Sequence, residues 1–326
     1  MGDKLLEIDN LTVHYEVNNV VVEAVTGLSL DIDNGETIGL VGETGAGKTT
    51  TALAVLGLIP DPPGRVVGGE IRFEGQNLLG KSSRQMRSIR GSAISMVFQD
   101  PMTSLNPVIP VGDQIMEVIL LHEKMSKAQA AVKAQQMLEL VGIPANRYPE
   151  YPHQFSGGMK QRVMIACALA CNPRLLIADE PTTALDVTIQ AQVLELMGNL
   201  KREFDTAMLL ITHDLGVVAD ICEKVAVMYA GTIVERGTVR NVYRFPRHPY
   251  TRGLFKSLPH LDVDTDRLTP IPGSMPDPSN LPPGCPFFPR CTFHTAECEA
   301  GRPGLVEVSP GHVVACFNIP EAPVEL

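Results

Sequence analysis

The sequence predicts an α/β fold: a parallel-sheet core carrying an antiparallel β flap, a helical subdomain and a small cysteine-rich C-terminal extension. Three observations lead there. The stretch "TIGLVGETGAGKTTTALAVLGL" sets an apolar run, a glycine-rich loop and an amphipathic helix in immediate succession. A second apolar run, "PRLLIADEP", ends in two carboxylates, Asp179 and Glu180, as a central parallel strand does at its ligand-binding edge. Beyond about residue 246 proline becomes frequent ("PRHPY", "TPIPGSMPDPSNLPPG") and regular periodicity fades.

Size and charge narrow the function classes. A chain of 326 residues holds one large domain with an appendage, or two modest domains. Apolar residues at 44% and charged residues at 20% are the balance of an ordinary globular protein. No apolar run reaches the ~18 residues that would cross a bilayer. The start, "MGDKLLEIDN", has no apolar stretch of the kind a secretory leader carries, and its sixth residue is not Ser or Thr, so neither a leader nor a myristoyl anchor is expected. A net charge of −10 without any basic cluster argues against a grip on nucleic acid.

Taken in order, the elements justify the fold class. Alternating runs in "LLEIDNLTVHYEV" and "GEIRFEGQNL" predict the antiparallel flap. "IGLV" is a buried strand leading into the glycine-rich loop. "VGDQIMEVILLHEKM" and "AQAAVKAQQMLELVGI" repeat apolar residues at three- and four-residue steps, which predicts a helical subdomain over about 101–172. The sheet resumes in "RLLIAD", "AMLLIT" and "KVAVMYAG". The expected division is a main domain at 1–245 and an extension at 246–326, the latter too poor in apolar residues to hold itself together without a staple.

The glycine-rich loop "GETGAGKT" fits the G-x-x-x-x-G-K-[ST] pattern in its required strand–loop–helix setting. Gly42, Gly45 and Gly47 allow the backbone to curl, so that the amides of Glu43, Thr44, Ala46 and Thr50 can join theirs in a phosphate cradle. The following helix adds the positive end of its dipole. Lys48 supplies a full charge for the β- and γ-phosphates of a nucleotide such as ATP, and the Thr49 hydroxyl suits Mg²⁺. At the end of the second apolar run, Asp179 can hold the Mg²⁺ shell and Glu180 can orient or polarise an attacking water.

A narrower pattern follows in "HQFSGGMKQRVMIACALACNPRLLIADEPTTALD". With the two preceding motifs it resembles the ATP-binding subunits of ABC transporters, which have a RecA-like P-loop NTPase core. The resemblance implies that Ser156, Gly157, Gly158 and Met159 open a helix toward the γ-phosphate held by an opposite subunit. It further implies that Gln99 ("MVFQDP") contacts Mg²⁺ and water, that His213 ("LLITHDL") contacts the γ-phosphate, and that Tyr15 ("LTVHYEV") stacks on adenine. His14 should point the other way. Asp186 would sit at the subunit seam and help set Glu180. The pattern departs at none of these positions, so this chain's half-site is expected to hydrolyse ATP, with Glu180, His213 and Lys48 as its catalytic residues.

Seven cysteines remain to be placed. Cys167, Cys171 and Cys222 sit singly in apolar helical patterns and are expected to be small buried hydrophobes. Cys285, Cys291, Cys298 and Cys316 crowd the extension and suggest a metal site before a disulfide pair. Structural zinc prefers cysteines two to four residues apart, and these gaps are wider, so a larger cluster suits them better, with zinc and unmetallated thiols or a disulfide as alternatives. The block "RHPYT…LP…IPG…GCPFFPRC…C…C", with "YPHQFSGGMKQRVMIA" and "DPMTSLNPV", resembles the dipeptide and oligopeptide importer ATPases. That resemblance implies a 4Fe–4S cluster on the four cysteines, pinning the proline-rich tail.

The partners implied are a second ATP-binding subunit (a paralogue, or else a second copy of this chain), two transmembrane permease subunits and, indirectly, an extracytoplasmic peptide-binding protein. The expected place is the cytoplasmic face of the membrane, as a peripheral subunit. Two alternatives stand beside this reading: the same machine importing nickel or oligosaccharides, and a soluble ABC-type ATPase of DNA repair or translation.

Overall fold

Two long strands open the chain, β1 (Lys4–Val17) and β2 (Val20–Asp33). Asn18 and Asn19 join them, both with positive φ (52° and 62°), the two-residue turn whose twist matches a hairpin. The computed structural model describes residues 4–183, 185–257 and 270–319. The opening Met-Gly-Asp, Ala184 of "ALD" and the stretch 258–269 of the proline-rich segment therefore lie outside the described residues.

The short strand β3 (Thr37–Val41) is buried at all five positions, as a strand covered on both faces must be. It leads to α1 (Lys48–Val55), β4 (Gly64–Phe73) and β5 (Gln76–Asn77). A Ser82–Gln85 capping box starts α2 (Ser83–Ile89). Strand β6 (Ile94–Val97) precedes four helices: α3 (Pro101–Ser104), α4 (Val111–His122), α5 (Lys127–Leu140) and α6 (Gly157–Leu169). Then come β7 (Leu175–Asp179), α7 (Val187–Phe204), β8 (Ala207–Thr212), α8 (Leu215–Ile221), β9 (Lys224–Tyr229) and β10 (Thr232–Thr238). The C-terminal part holds α9 (Val239–Arg244), α10 (Pro249–Lys256), α11 (Ala296–Ala300), β11 (Val306–Ser309) and β12 (His312–Val314).

These elements form two units that interleave along the chain. The first comprises Met1–Leu6, Asp31–Thr37 and Arg72–Thr212. Its sheet is parallel: β6 pairs β7 (Ile94 opposite Leu175) and β7 pairs β8 (Ile177 opposite Leu209). Parallel strands need helices across their faces, and their residues read as unbroken apolar runs for that reason. The helices α4, α5 and α6 pack on one another. Val111, Ile115 and Ile119 of α4, and Ala130, Ala134 and Leu138 of α5, form the buried stripes that the three- and four-residue steps imply.

The second unit comprises Glu7–Leu30, Ile38–Ile71 and His213–Leu326. Within it β3 pairs parallel with β9, Ile38 opposite Lys224 through Val41 opposite Val227. Antiparallel pairing then continues from β9 to β10, β10 to β12 and β12 to β11. Residues of β2, β1 and β4 form the flap in that order. The extension is more regular than its proline content suggests. Its β11–β12 hairpin joins the sheet through β10, and the Ala315 N–H donates to the Val234 carbonyl at 2.8 Å. The two strands are four and three residues long, too short to show periodicity in sequence.

Candidate nucleotide-binding site

In the second unit the chain leaves β3 at Val41 and turns through residues 42–47 into α1. Close backbone approach explains two of the glycines. A Cβ on Gly42 would lie 2.2 Å from the Met228 carbonyl oxygen. Gly47 has φ 102°, and a Cβ there would lie 2.4 Å from the Ala24 carbonyl oxygen. The buried Ala46 ties the turn down: its N–H donates to the Glu43 carbonyl (3.1 Å), and its own carbonyl accepts from the Gly231 N–H (2.9 Å). Lys48 is buried, and its Nζ donates to the carbonyls of Gly42 (2.7 Å) and Glu43 (3.1 Å). Thr44, Gly45 and Thr49 face solvent, with Thr50 half-buried. The Glu43 N–H donates to the Tyr250 hydroxyl (3.0 Å), so this amide and that of Ala46, both expected in the phosphate cradle, are engaged within the protein; the Lys48 ammonium and the N-terminus of α1 are what would attract an anion here.

Tyr15 lies on Gly64. A Cβ on that glycine would come within 2.6 Å of the tyrosine Cε1, so only glycine lets the ring take this position. Its chain neighbours His14 and Glu16 line a cavity of about 400 Å³ together with Asp61 and Arg65. The alternation of β1 thus separates the tyrosine from the histidine beside it.

In the first unit Asp179 is buried at the end of β7. Glu180 follows with φ 46°, a left-handed backbone that few non-glycine residues adopt. Its N–H donates to the Ile211 carbonyl (2.8 Å), while its carboxylate accepts from Gln99 Nε2 (2.9 Å) and Thr183 Oγ1 (3.0 Å). Gln99 and Glu180, 81 residues apart in sequence, are therefore in direct contact. Ser156 caps α6, its side chain accepting from the Met159 N–H at 3.4 Å. Ser156 and Gly157 are exposed, and Gly158 packs so tightly on α7 that a Cβ would meet Ile189 Cγ2 at 2.4 Å. Asp186 caps α7 by accepting from the Ile189 N–H (3.0 Å). In the second unit His213, the residue after β8, is exposed, and Asp214 caps α8.

Two supporting residues escape a reading of motifs. Thr183 is the second donor to Glu180. Arg147 braces the approach to the Ser156 turn: it donates to Glu150 Oε2 and to the Gln154 carbonyl (3.1 Å), and its guanidinium lies 4.3 Å from the Phe155 ring centroid. The Arg-x-x-Glu spacing in "RYPEYPHQ" is the only local signal of that brace.

All seven cysteines are free thiols, so no disulfide closes the extension. Cys222 is buried as expected, whereas Cys167 and Cys171 are half-buried; the protein around them still raises their thiols, to about 12 and about 11, which suits inert packing. Cys285 and Cys298 are buried, and the Cys285 N–H donates to the Cys298 carbonyl (2.8 Å). Burial raises the Cys316 thiol to about 11, and Cys291, Cys285 and Cys298 push it the same way. The Phe293 N–H donates to Cys291 Sγ at 3.4 Å, and Thr295 Oγ1 lies 3.5 Å from Cys298 Sγ.

The structure does not bear out the expected metal staple of the extension. Among the described residues, no three His, Cys, Asp or Glu side chains are arranged to hold a single metal ion. Zinc, with Zn–S near 2.3 Å, would need its sulfurs within roughly 4 Å of each other. A cubane, whose thiolates sit on separate irons, accepts a wider set and is stabilised by N–H donors to sulfur.

Residues 25–183 match the family described as ABC transporter, and residues 234–298 match the oligopeptide/dipeptide transporter C-terminal region. The chain is 50% identical over 317 residues to the dipeptide transport ATP-binding protein DppD of Bacillus subtilis (strain 168), covering 97% of this chain and 95% of the relative. It is 50% identical over 319 residues to the oligopeptide transport ATP-binding protein OppD of Escherichia coli (strain K12), covering 97% and 94%. Among solved structures, the dimeric post-hydrolysis state of the ATP-binding cassette MJ0796 bound to ADP and Pi superposes with a TM-score of 0.65 at 25% identity. That match covers 72% of this chain and 99% of the other. Among the described residues no helix is long and apolar enough to cross a membrane. The chain belongs to the ATP-hydrolysing, ATP-binding subunits of ABC transporters, in the branch that carries the oligopeptide/dipeptide transporter C-terminal region.

Proposed function

We propose that this subunit powers the import of dipeptides and oligopeptides from the cytoplasmic face of the membrane. The observation that carries the reading is identity at about half of all positions, over nearly the full length, to dipeptide and oligopeptide transport ATP-binding proteins. Tyr15 stacks on adenine, and residues 42–50 hold the phosphates, with Lys48 neutralising the β- and γ-oxygens. Thr49, Gln99 and Asp179 share the Mg²⁺. Glu180, aimed by Gln99 and Thr183, orients the attacking water, and His213 contacts the γ-phosphate. Ser156, Gly157, Gly158 and Met159 offer amides to the nucleotide of a second ATP-binding subunit, since this chain carries a single phosphate loop. Two permease subunits and an extracytoplasmic peptide-binding protein complete the assembly. A division at residues 245/246, with a helical subdomain at about 101–172, organises these parts.

In the extension Cys285, Cys291, Cys298 and Cys316 would hold a 4Fe–4S cluster. Such a cluster supplies four iron–thiolate bonds that cross-link a segment poor in apolar core. Protein purified without oxygen should carry about four irons per chain and visible charge-transfer absorption; colourless protein with one zinc would refute the cluster.

The transport reading is tested by reconstituting the chain with its partner ATPase and permeases in proteoliposomes. A labelled dipeptide should accumulate only with ATP. Glu180→Gln should retain ATP binding and lose turnover by roughly 10²-fold or more, and Lys48→Ala should lose binding. Uptake of nickel or a trisaccharide in place of peptide would overturn the cargo. Normal hydrolysis by Glu180→Gln would overturn the role of that carboxylate.

A further inference from the structure

We propose that the C-terminal extension grips the phosphate loop through Arg290, a positioning residue that sets how well the loop holds ATP. The proposal rests on the reading that residues 42–50 receive the phosphates. Arg290 stands 247 positions from Glu43 in sequence, yet its Nη1 donates to both carboxylate oxygens, Oε1 at 3.2 Å and Oε2 at 3.0 Å. The Arg290 side chain is only 6% exposed, against 29% for Glu43.

Every guanidinium nitrogen is engaged. Nη1 also donates to the Tyr229 hydroxyl (3.3 Å), Nε to the Pro272 carbonyl (2.8 Å) and Nη2 to the Ile271 carbonyl (3.4 Å). The group lies 5.8 Å from the Tyr229 ring centroid and 5.9 Å from that of Phe287. Tyr229, Tyr250 and Phe287 pack on one another with centroids 4.6 to 5.5 Å apart. A buried guanidinium is costly to desolvate, and an apolar side chain would attach the extension as firmly. The distinctive result of using arginine here is a fixed acceptor, and that acceptor belongs to the phosphate loop.

Glu43 is held at each polar group. Its N–H donates to the Tyr250 hydroxyl (3.0 Å), its carboxylate accepts from Arg290, and its carbonyl accepts from Ala46 N–H and Lys48 Nζ. Met275 of the extension also lies close to the loop, since a Cβ added at Gly45 would come 3.0 Å from its Cε. The loop amides can point inward at phosphate without reorganising only if the loop is already shaped. Arg290 and Phe287 also flank Cys291 and Cys285 in "CPFFPRC", so whatever fixes those cysteines fixes the grip.

The test is a double-mutant cycle on the full chain, read by titration of a fluorescent ATP analogue, by KM and kcat for ATP and by thermal unfolding. Arg290→Ala should weaken nucleotide binding and raise KM by roughly three- to tenfold, as expected for a lost hydrogen-bonded charge pair, with kcat within about twofold. Arg290→Lys, which keeps the charge but not the fork, should fall between. Glu43→Gln should match Arg290→Ala, and the double variant should be no worse than either single one. Arg302→Ala, which removes the extension's 3.5 Å pair to Glu23, should leave affinity unchanged. Wild-type affinity in Arg290→Ala and Arg290→Lys, or strict additivity in the cycle, would overturn the grip and leave a packing contact. Undiminished binding by Lys48→Ala would instead overturn the phosphate-loop reading itself.

Discussion

Glu235 offers the sharpest test of how the extension is attached to the sheet. It sits in β10, is fully buried, and accepts from three donors: the Arg247 N–H (2.8 Å), the His248 N–H (2.8 Å) and His312 Nε2–H (2.7 Å). The first two come from the turn before α10 and the third from β12, so one carboxylate joins three separate segments. Replacing it with alanine removes about three charge-assisted hydrogen bonds, each worth roughly 1.5–3 kcal/mol, and strands three donors away from water. Part of that loss is recovered because the carboxylate no longer has to be desolvated. The net cost of breaking a buried pair from one side is about 3–5 kcal/mol, which lowers the melting midpoint of this unit by roughly 10 °C. Glu235→Gln keeps the shape and one good acceptor, so it should cost about half as much. The assay is thermal unfolding combined with hydrogen exchange, and protection should fall first at His312, Val313 and Val314. A Glu235→Ala protein that melts within a degree or two of wild type, with β12 still protected, would refute the argument that this carboxylate holds the hairpin.

Three other outcomes follow from the geometry. Gly47→Ala sets a Cβ 2.4 Å from the Ala24 carbonyl at φ 102°; the loop must shift, and ATP affinity should drop at least about tenfold, which nucleotide titration will show. His248 is held near pKa 4 by burial, against a weaker opposing pull from Glu235, and its Nδ1 accepts from the Tyr250 N–H (3.0 Å). The neutral ring belongs to the folded state, so its contribution is intact above about pH 6.5 and declines toward pH 4. About 2 kcal/mol should be gone by pH 5, and a melting profile flat from pH 7 to 5 would contradict this. Arg147→Ala should leave nucleotide binding by the isolated chain intact, because the brace lies at the Ser156 turn, while slowing hydrolysis severalfold in the assembled pair of ATP-binding subunits. Equal rates in the assembly would count against the brace.

The legible parts of this protein are those whose chemistry is local in sequence. The phosphate loop spells its own geometry because glycine, lysine and threonine must fall within eight residues of one another, between a strand and a helix. The helix opening at Ser156 could be placed because a helix start is decided within four residues, and the structure shows the Ser156 side chain accepting from the Met159 N–H. Parallel strands such as "LLIAD" and "AMLLIT" announce themselves by burial on both faces. Thr183 was hidden for a smaller reason: a threonine after an acidic pair looks like any turn residue until Glu180 adopts its left-handed backbone and brings the carboxylate back to it.

What sequence could not show is pairing across long separations, and the reason is physical. A charged residue in an apolar stretch reads as solvent-facing, since burial is affordable only when a partner exists, and the partner is written elsewhere. Glu235 in "TIVERGTV" looks like the exposed face of a strand until His312, 77 residues on, is placed against it. Arg290 in "CPFFPRC" looks like a spacer between cysteines until Glu43 meets it from 247 residues away. Each ties the extension to the rest of the second unit through a partner far away in sequence, Glu235 through His312 and Arg290 through Glu43, beside the aromatic packing of Phe287. An appendage attached in this way is sensitive to single substitutions at its few charged contacts and tolerant of change between them. Random substitution across 270–319 should therefore lower stability or ATP affinity chiefly at His312, Arg290, Phe287 and the four cysteines, and a uniform spread of effects would refute that view of the attachment.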